Sequence, residues 1–379
     1  MRFTRLHLES WRNFLKVDVP LQDRMFLVGP NASGKSNLLD AFRFLRDIAE
    51  PQGGLSRAVE HPSRRGVSQI RSLHAKRQSN VILEVEVALG DGEPWIYRLE
   101  FSQDNRRRPI VKREVVRQGG TILLERPNRE DEADPERLTQ THLEQVNTNR
   151  SFRKLVDFLA RVRYLHLVPQ LVREPDRSVG RHKDPYGGDF LEQLALTSKK
   201  TLEARLNRIC EALRIAVPQL KKLTLERDER GVAHLKGLYE HWRPNAGWQT
   251  EEQFSDGTLR LLALLWVFLE GKEPLLLEEP ELSLHPAVVR CFPQMLARVK
   301  RKTGRQVLLS THSGDILRDE GVGAEEILML QPQAEGTAVQ VAASLEEVRL
   351  LLEGGLSPAD VVLSRTAPQN AHQLTLFAS

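Results

Sequence analysis

The alternation of apolar and polar positions near the start of the chain predicts two strands and then a helix. Residues 2–8 alternate, and residues 25–28 form a short apolar run that leads into a glycine turn. Residues 51–79 are rich in proline, glycine, serine and arginine, a composition typical of a loop. Residues 37–48 predict a helix, because apolar side chains recur there at helical spacing, namely Leu38, Leu39, Phe42, Leu45 and Ile48.

A series of short alternating segments follows and predicts an antiparallel meander. Glycine-rich turns separate the segments, which cover residues 81–89, 95–101, 110–117 and 121–124. The polar residues 126–150 predict a mobile arm or loop. Beyond them the pattern predicts a helix, a buried strand, a loop, a helical region and a hairpin, at residues 152–162, 164–168, 171–188, 190–213 and 220–242.

The pattern changes at Thr258, where an apolar helix is followed by a strand, a helix and a strand. This βαβ rhythm indicates a mostly parallel sheet, so the expected fold class is α/β with an added meander. We expect two parts of one head at residues 1–125 and 251–343, with an inserted arm or helical region at 126–250 between them. Residues 344–379 should form a C-terminal helix and a flexible tail.

The composition is that of an ordinary globular protein. Hydrophobic residues make up 40% of the 379 residues and charged residues 28%, with a formal net charge of +4. This mildly basic balance permits a DNA-binding face without requiring one. The longest apolar run, residues 261–269, is about half the ~20 residues of a membrane helix. Cys210 and Cys291 form no paired motif, so we expect reduced thiols and a cytoplasmic protein with no membrane partner.

A phosphate-binding loop is the strongest local signal. The sequence fits GxxxxGK[ST] and stands between an apolar run and a helix, as the motif requires. Its N–H groups would surround phosphate oxygens, Lys35 would reach the β- and γ-phosphates, and Ser36 would ligate Mg²⁺. A glycine turn without a ligand is the alternative. The expected nucleotide-binding residues here are Gly29, Pro30, Asn31, Ala32, Ser33, Gly34, Lys35, Ser36 and Asn37. No NKxD sequence is present, which argues against a GTPase.

A second candidate is the apolar run at residues 274–277, which ends in carboxylates. Parallel strands that are buried on both faces give such runs. Glu278 would hold Mg²⁺ through water, and Glu279 would act as the general base that polarises the attacking water. Taken alone, the segment is equally consistent with a strand that ends in a solvated acidic turn.

Two weaker signals flank the acidic strand. Ser255 and Gly257 form a Ser-x-Gly turn that opens a helix, which is an anion site by itself but also a common helix cap. His312 follows the apolar run at residues 307–309 and could bond to a γ-phosphate, although a lone histidine is more often structural.

The order of these motifs resembles that of ABC-like ATPases, and more narrowly the SMC, RecF and OLD-nuclease ATPase group. Stand-alone bacterial predicted ATPases with EPELSLHP and STHS motifs are similar, and both motifs occur here at residues 279–286 and 310–313. The segments SWRNF at 10–14 and GPNASGKSNLLDAF at 29–42 also resemble this group. The similarity covers residues 1–89 and 250–330 well and the middle loosely.

The resemblance implies ATP and Mg²⁺ as cofactors and a homodimer that closes around ATP. Ser255 and Gly257 of one subunit would act on the ATP held by the other, and residues 282–286 would face the dimer partner. The family usually has aspartate where Glu278 stands, so turnover is expected to be slow. The family's Q-loop glutamine would be Gln170, as a metal-associated residue, with Gln69 as the rival; a loop glutamine is usually just solvated.

The preferred function is an ATP-gated switch or clamp associated with DNA, in phage defence or DNA repair, that works with a separate nuclease or effector. No Toprim-type nuclease is recognisable in the sequence after residue 330, so we expect any cutting activity to belong to a partner. A nucleotide-binding subunit of a transporter, or a module that holds ATP structurally, are the alternatives. Basic clusters either form solvated faces or contact a phosphate backbone, and they lie at residues 64–65, 71–77, 106–108 and 298–305. Arg71 is open to the same two interpretations.

Overall fold

The structure is a computed structural model that describes residues 1–76, 80–90, 92–174, 184–243, 247–366 and 373. The chain divides into two compact units. The first unit contains Met1–Arg163, Lys272–Leu276 and Pro293–Ser379, and the second contains Tyr164–Gly271 and Leu277–Phe292.

Strands and helices are numbered here in chain order over the described residues. The strands are β1 (Arg2–Trp11), β2 (Phe14–Pro20), β3 (Arg24–Val28), β4 (Val81–Ala88), β5 (Trp95–Gln103), β6 (Pro109–Gln118), β7 (Thr121–Arg126), β8 (Arg163–Leu165), β9 (Leu220–Arg227), β10 (Ala233–Tyr239), β11 (Trp248–Thr250), β12 (Leu275–Glu278), β13 (Val307–Thr311), β14 (Ile327–Gln333) and β15 (Gly336–Val341). The helices are α1 (Lys35–Ala49), α2 (Leu55–Glu60), α3 (Val67–Ile70), α4 (Arg129–Ala133), α5 (Arg153–Ala160), α6 (Pro169–Arg173), α7 (Phe190–Leu196), α8 (Lys199–Ala216), α9 (Asp256–Leu269), α10 (Pro286–Val289), α11 (Phe292–Thr303), α12 (Gly314–Leu317), α13 (Glu346–Glu353) and α14 (Pro358–Thr366).

The predicted meander is confirmed as one antiparallel sheet of the first unit, with the strand order β2-β1-β4-β5-β6-β7. Its strands alternate because one face is covered by helices. The Phe3 ring on β1 lies 4.7 Å from the Phe42 ring on α1 and 4.9 Å from the Phe158 ring on α5, measured between ring centroids. The helix that follows the phosphate loop is therefore packed directly on this sheet.

The second sheet has the order β15-β14-β3-β13-β12-β8. Strand β3 is parallel to both β13 and β14, and β15 pairs antiparallel with β14. The prediction of a parallel core is thus confirmed for the three strands that surround the phosphate loop. Their apolar runs are buried on both faces, as the near absence of polar residues in 25–28 and 307–309 requires.

The second unit contains helices α6 to α9 and a small antiparallel sheet with the order β11-β10-β9. The predicted hairpin is confirmed, since β9 and β10 pair antiparallel and the chain turns between Asp228 and Gly231. The helical region predicted at 190–213 is two helices, α7 and α8, because the chain is extended between them at Thr197 and Ser198.

The segment at 126–150 differs from the predicted mobile arm or loop. It contains α4 and a short 3-10 helix at Pro135–Thr139, and it is held by a fully buried guanidinium. Arg126 pairs with Glu114 at 3.1 Å and with Asp131 at 2.7 Å. The polar composition of this segment indicated solvent exposure, but these charged side chains neutralise one another inside the protein.

Two other predictions need correction. The strand predicted at 164–168 is the short β8, whose three residues are half-buried rather than buried. The loop predicted at 51–79 contains the short helices α2 and α3. At the C-terminus, α14 extends to Thr366, and most of the tail predicted at 365–379 lies outside the described residues.

Candidate nucleotide-binding site

The phosphate loop connects β3 to α1 in the first unit. Ala32 and Gly34 have φ angles of 62° and 97°, so the backbone turns through left-handed conformations just before the helix begins. A run of such residues can point successive N–H groups into one concavity, and the positive end of the 15-residue helix α1 adds to it. The loop therefore has the geometry of an anion site.

Lys35 lies across this loop. Its Nζ donates to the carbonyl oxygens of Gly29 at 3.0 Å and Pro30 at 3.1 Å, and only 6% of the residue is exposed. The ammonium group is thus already held at the place where a nucleotide's phosphates would need a positive charge. The buried Ser33 hydroxyl has no hydrogen-bond partner among the described residues, which leaves a donor for an incoming ligand.

The outer surface of the loop is open. Asn31, Ala32 and Ser36 are exposed, and the Ser36 hydroxyl stands on the first turn of α1. A hydroxyl is a hard oxygen donor, as Mg²⁺ requires, and Mg²⁺ usually takes only one or two protein oxygens besides phosphate and water. No group of three or more metal-binding side chains occurs among the residues that the structure describes.

Asn13 supports the loop from behind and was not assigned a role from the sequence. Its side chain donates to the Ser33 carbonyl oxygen at 2.8 Å and accepts from Asn37 Nδ2 at 2.7 Å. The predicted nucleotide-binding residue Asn37 is therefore engaged with Asn13. The SWRNF segment is the sequence signal that could have indicated this role, since it places Asn13 in the turn after β1.

His312 follows β13 at the same sheet edge from which the phosphate loop leaves. Thr311 is paired with Val28 across the parallel strands β13 and β3, so His312 and Gly29 both come directly after paired residues. The His312 side chain is exposed. Both lie in the first unit.

Glu278 ends β12 in the second unit and has two neighbours that the sequence did not indicate. The Tyr164 hydroxyl donates to Glu278 Oε2. His166 Nδ1 lies 3.9 Å from the same oxygen, and the His166 ring meets the edge of the Tyr186 ring. The carboxylate is therefore oriented by a tyrosine that lies on β8.

Glu279 has a φ of 43° and starts the turn that carries residues 282–286. This conformation is rare for a residue with a side chain and is typical of functional turns. The buried Arg260 on α9 is electrostatically coupled to Glu279, Glu281 and Asp256. Burial lowers the pKa of the Arg260 guanidinium, and these three carboxylates oppose that shift.

The Ser-x-Gly turn opens α9 as predicted. The Ser255 hydroxyl caps the helix by accepting from Thr258 N at 3.1 Å. A methyl group at Gly257 would lie 2.6 Å from the Ser283 carbonyl oxygen, so the turn packs closely on the segment after the acidic strand. Both residues lie in the second unit.

Gln170 lies beside this turn. Its Nε2 is 3.4 Å from Asp256 Oδ2, and Arg173 pairs with the same carboxylate at 2.6 Å. The rival, Gln69, lies on α3 in the other unit, where its carbonyl oxygen accepts from Arg12. Gln170 therefore lies beside the Ser-x-Gly turn, and its metal-associated role stays a prediction.

The basic clusters fall into two kinds. Arg64 and Arg305 are fully buried, so for these two neither a solvated face nor a phosphate contact applies. Arg64 makes a bidentate pair with Asp40 of α1, at 2.9 and 2.7 Å, because a buried guanidinium must be neutralised. Among the described residues of these clusters, the exposed arginines are Arg65, Arg71, Arg106, Arg107, Arg298 and Arg301, and Arg77 lies outside the described residues.

The same fold occurs in solved SMC heads. The chain is similar to an SMC head bound to the C-winged helix domain of ScpA, with 14% identity, a TM-score of 0.57, and coverage of 90% of this chain and 98% of that one. A Pyrococcus furiosus SMC head with an extended coiled coil, bound to the C-terminal domain of ScpA, gives 14% identity, a TM-score of 0.51, and coverage of 93% and 99%. The fold and the phosphate loop thus define an AAA/ABC-like head of the SMC-like group, as the motif order predicted.

The particular family follows from the sequence. Residues 24–319 match the family model described as "AAA domain, putative AbiEii toxin, Type IV TA system", and the chain belongs to this family. No curated protein matches it. Within the described ranges, every helix is too short or too polar to cross a bilayer.

Proposed function

We propose that the protein binds Mg²⁺–ATP at the phosphate loop and hydrolyses it, using the opening and closing of a homodimer as a switch. The observation that carries this proposal is the loop itself, with left-handed Ala32 and Gly34, the helix α1 behind it and the buried Lys35 across it. The order of the other motifs along the chain supports hydrolysis rather than binding alone.

In this proposal each residue has one role. Lys35 and the loop N–H groups bind the phosphates, and His312 contacts the γ-phosphate. Ser36 would hold Mg²⁺ directly and Glu278 would hold it through water; the metal would neutralise the charge that develops on the phosphates. Glu279 takes a proton from the attacking water. Gln170 is proposed to lie close to the metal. Glu278, which stands where the family usually has aspartate, is expected to slow turnover.

Ser255 and Gly257 are proposed to act in trans on the ATP of the second subunit. The Ser255 hydroxyl and the first turn of α9 offer donors for a γ-phosphate. The turn at 282–286, which contacts Gly257 through Ser283, would lie at the dimer interface. ATP then acts as the bridge, and its hydrolysis separates the subunits.

DNA and an effector protein are the proposed partners, in phage defence or repair. Two arginines at the β5–β6 turn, Arg106 and Arg107, are exposed, whereas the adjacent Arg108 is paired with Asp104 and Glu136. Exposed arginines at a projecting turn suit a phosphate backbone. The family's toxin–antitoxin description supports a protein partner encoded separately, which could be a nuclease or another effector.

The test is the particle mass by light scattering, with and without ATP and Mg²⁺. The Glu279→Gln variant should form a dimer only with ATP and retain it, because binding is preserved while the general base is lost. Glu229→Gln, an exposed carboxylate in the β9–β10 turn, is the matched control and should behave like the wild type. Lys35→Ala should stay monomeric in both conditions.

A structural nucleotide, a missing trans role and missing DNA binding would each give a different result. ATP binding without measurable phosphate release in the wild type, and no difference in Glu279→Gln, would identify a structural nucleotide. A particle mass that is the same with and without ATP would contradict the proposed trans role of Ser255 and Gly257. DNA binding is tested separately, by fluorescence anisotropy of Arg106→Glu with Arg107→Glu against the wild type.

A further inference from the structure

Asn13 stands in the tight turn between β1 and β2, and its side chain contacts two segments that are far apart in the sequence. Nδ2 donates to the Ser33 carbonyl oxygen at 2.8 Å and to Thr337 Oγ1 at 2.8 Å. Oδ1 accepts from Asn37 Nδ2 at 2.7 Å. Both N–H groups of the carboxamide and one lone pair are therefore used, which fixes the orientation of the amide.

The backbone and side chain of Asn13 also pack closely against the backbone of these segments. The Asn13 carbonyl oxygen accepts from Thr337 N at 2.8 Å, at the start of β15. A methyl group at Gly34 would lie 2.3 Å from Asn13 Nδ2, and one at Gly336 would lie 2.6 Å from Asn13 O. Asn13 thus fits between the phosphate loop and the β14–β15 hairpin, with no space for a side chain on either glycine. All these residues belong to the first unit.

The bond to Ser33 has a direct consequence for the loop. Ser33 C=O and Gly34 N–H belong to one peptide unit, which is planar and trans, so they point in opposite directions. When Asn13 holds the carbonyl oxygen behind the loop, the Gly34 N–H must face the other way. Without that donor the peptide could rotate and present its oxygen to the phosphates, which would repel them.

We propose that Asn13 is a positioning residue that sets the phosphate loop for nucleotide and couples it to the β14–β15 hairpin. The inference rests on the proposed function, because it concerns the same loop. It predicts that ATP binding tightens the contacts of Asn13 with Thr337, and that the hairpin is more rigid in the nucleotide-bound protein.

The test uses Asn13→Asp, Asn13→Ala and Thr337→Val. Aspartate has the shape of asparagine but places a carboxylate oxygen against the Ser33 carbonyl, so ATP affinity should fall about a hundredfold. Asn13→Ala, which removes the two donors and the acceptor for Asn37 without adding a repulsive oxygen, should lose about tenfold, and Thr337→Val about threefold. KM for ATP should rise while kcat at saturating ATP changes less than about twofold, because Asn13 touches no reacting atom.

Hydrogen exchange at the Thr337 amide gives an independent readout of the coupling. ATP should slow this exchange in the wild type and have a smaller effect in Asn13→Ala. Thermal unfolding of each variant identifies loss of fold. If the Asn13 variants do not fold, Thr337→Val carries the test alone, since it removes only the hydroxyl that accepts from Asn13 Nδ2.

The two proposals fail in different ways. A wild type that binds no ATP would overturn the proposed function. A wild type that binds ATP, with all three variants binding equally well, would overturn the role of Asn13 and leave the proposed function intact.

Discussion

Gly257 faces the carbonyl oxygen of Ser283 so closely that a β-carbon at residue 257 would lie 2.6 Å from it. The turn that opens α9 and the turn that follows β12 are therefore packed as one surface. Both turns are proposed to face the second subunit. A change at their contact should alter dimerisation without touching the phosphate loop.

Gly257→Ala should abolish the ATP-dependent dimer of the Glu279→Gln variant. The added methyl group must push one turn away from the other, at a cost of about 1–3 kcal/mol for overpacking. Light scattering of the double variant measures the dimer, and equilibrium binding measures ATP affinity, which should persist. Gly120→Ala is the control, because nothing lies within 4 Å of the added carbon there. A normal dimer in the double variant would contradict the trans role.

Tyr164→Phe should raise the Mg²⁺ concentration needed for half-maximal ATP hydrolysis by about tenfold. The tyrosine hydroxyl donates to Glu278 Oε2, and its loss removes one of the contacts that orient the carboxylate towards the position proposed for a metal-bound water. Rates are measured against Mg²⁺ at saturating ATP. Tyr186→Phe is a matched control, since Tyr186 meets the His166 ring in the same cluster. If the Mg²⁺ dependence of the rate is unchanged in Tyr164→Phe, the proposed role of Glu278 in holding the metal is contradicted.

Arg64→Met should lower the free energy of unfolding by about 3–5 kcal/mol, because it removes the bidentate partner of the buried Asp40 and one of the two arginines that pair with Asp47. Burial by itself raises the pKa of the Asp40 carboxyl, but the charge and hydrogen bonds of Arg64, together with the charges of Arg43 and Arg12, outweigh it and lower that pKa overall. Urea unfolding followed by circular dichroism provides the measurement. Arg65→Met, at an exposed neighbour, should change stability by less than about 0.5 kcal/mol. Equal effects of the two substitutions would refute the buried pair.

How far the sequence predicts this protein depends on the distance between interacting residues. The helix α1, the meander, the hairpin and the Ser-x-Gly turn were correctly predicted, because each depends on a local pattern. The Asn13–Thr337 bond joins residues 324 positions apart, and no local pattern contains it. The Tyr164–Glu278 bond, across 114 positions, was missed for the same reason.

Charged segments were the other source of error. Residues 64 and 126 looked solvated because arginine usually is, yet both guanidinium groups are fully buried. Their carboxylate partners come from other elements, so composition alone could not distinguish a solvated charge from a neutralised one. The roles of Glu278, Glu279 and His312 rest on the order of motifs and stay predictions.

His61 should make the protein less stable as the pH falls from 6.5 towards 4. Burial lowers the pKa of His61 to about 4, and the charges of Arg43 and Arg64 add to this, while Asp47 and Asp40 oppose it. Arg43 donates to His61 Nε2 at 2.9 Å, so the ring must be neutral. In the unfolded chain the His61 ring has a pKa near 6.5. Below that pH it therefore binds a proton that it does not bind in the folded protein.

The stability linked to His61 is therefore fully present above about pH 6.5 and is lost as the pH falls through the interval down to about 4. His61→Gln keeps an acceptor for Arg43 and removes the proton, so its urea midpoint should fall less steeply between pH 7 and pH 4.5. His142, whose pKa burial also lowers to about 4, titrates in both proteins and cancels in the comparison. His241→Gln, at an exposed histidine, should retain the pH dependence of the wild type. Parallel curves for the wild type and His61→Gln would show that the ring carries no proton-linked stability, and the bond from Arg43 would then have to be absent in solution.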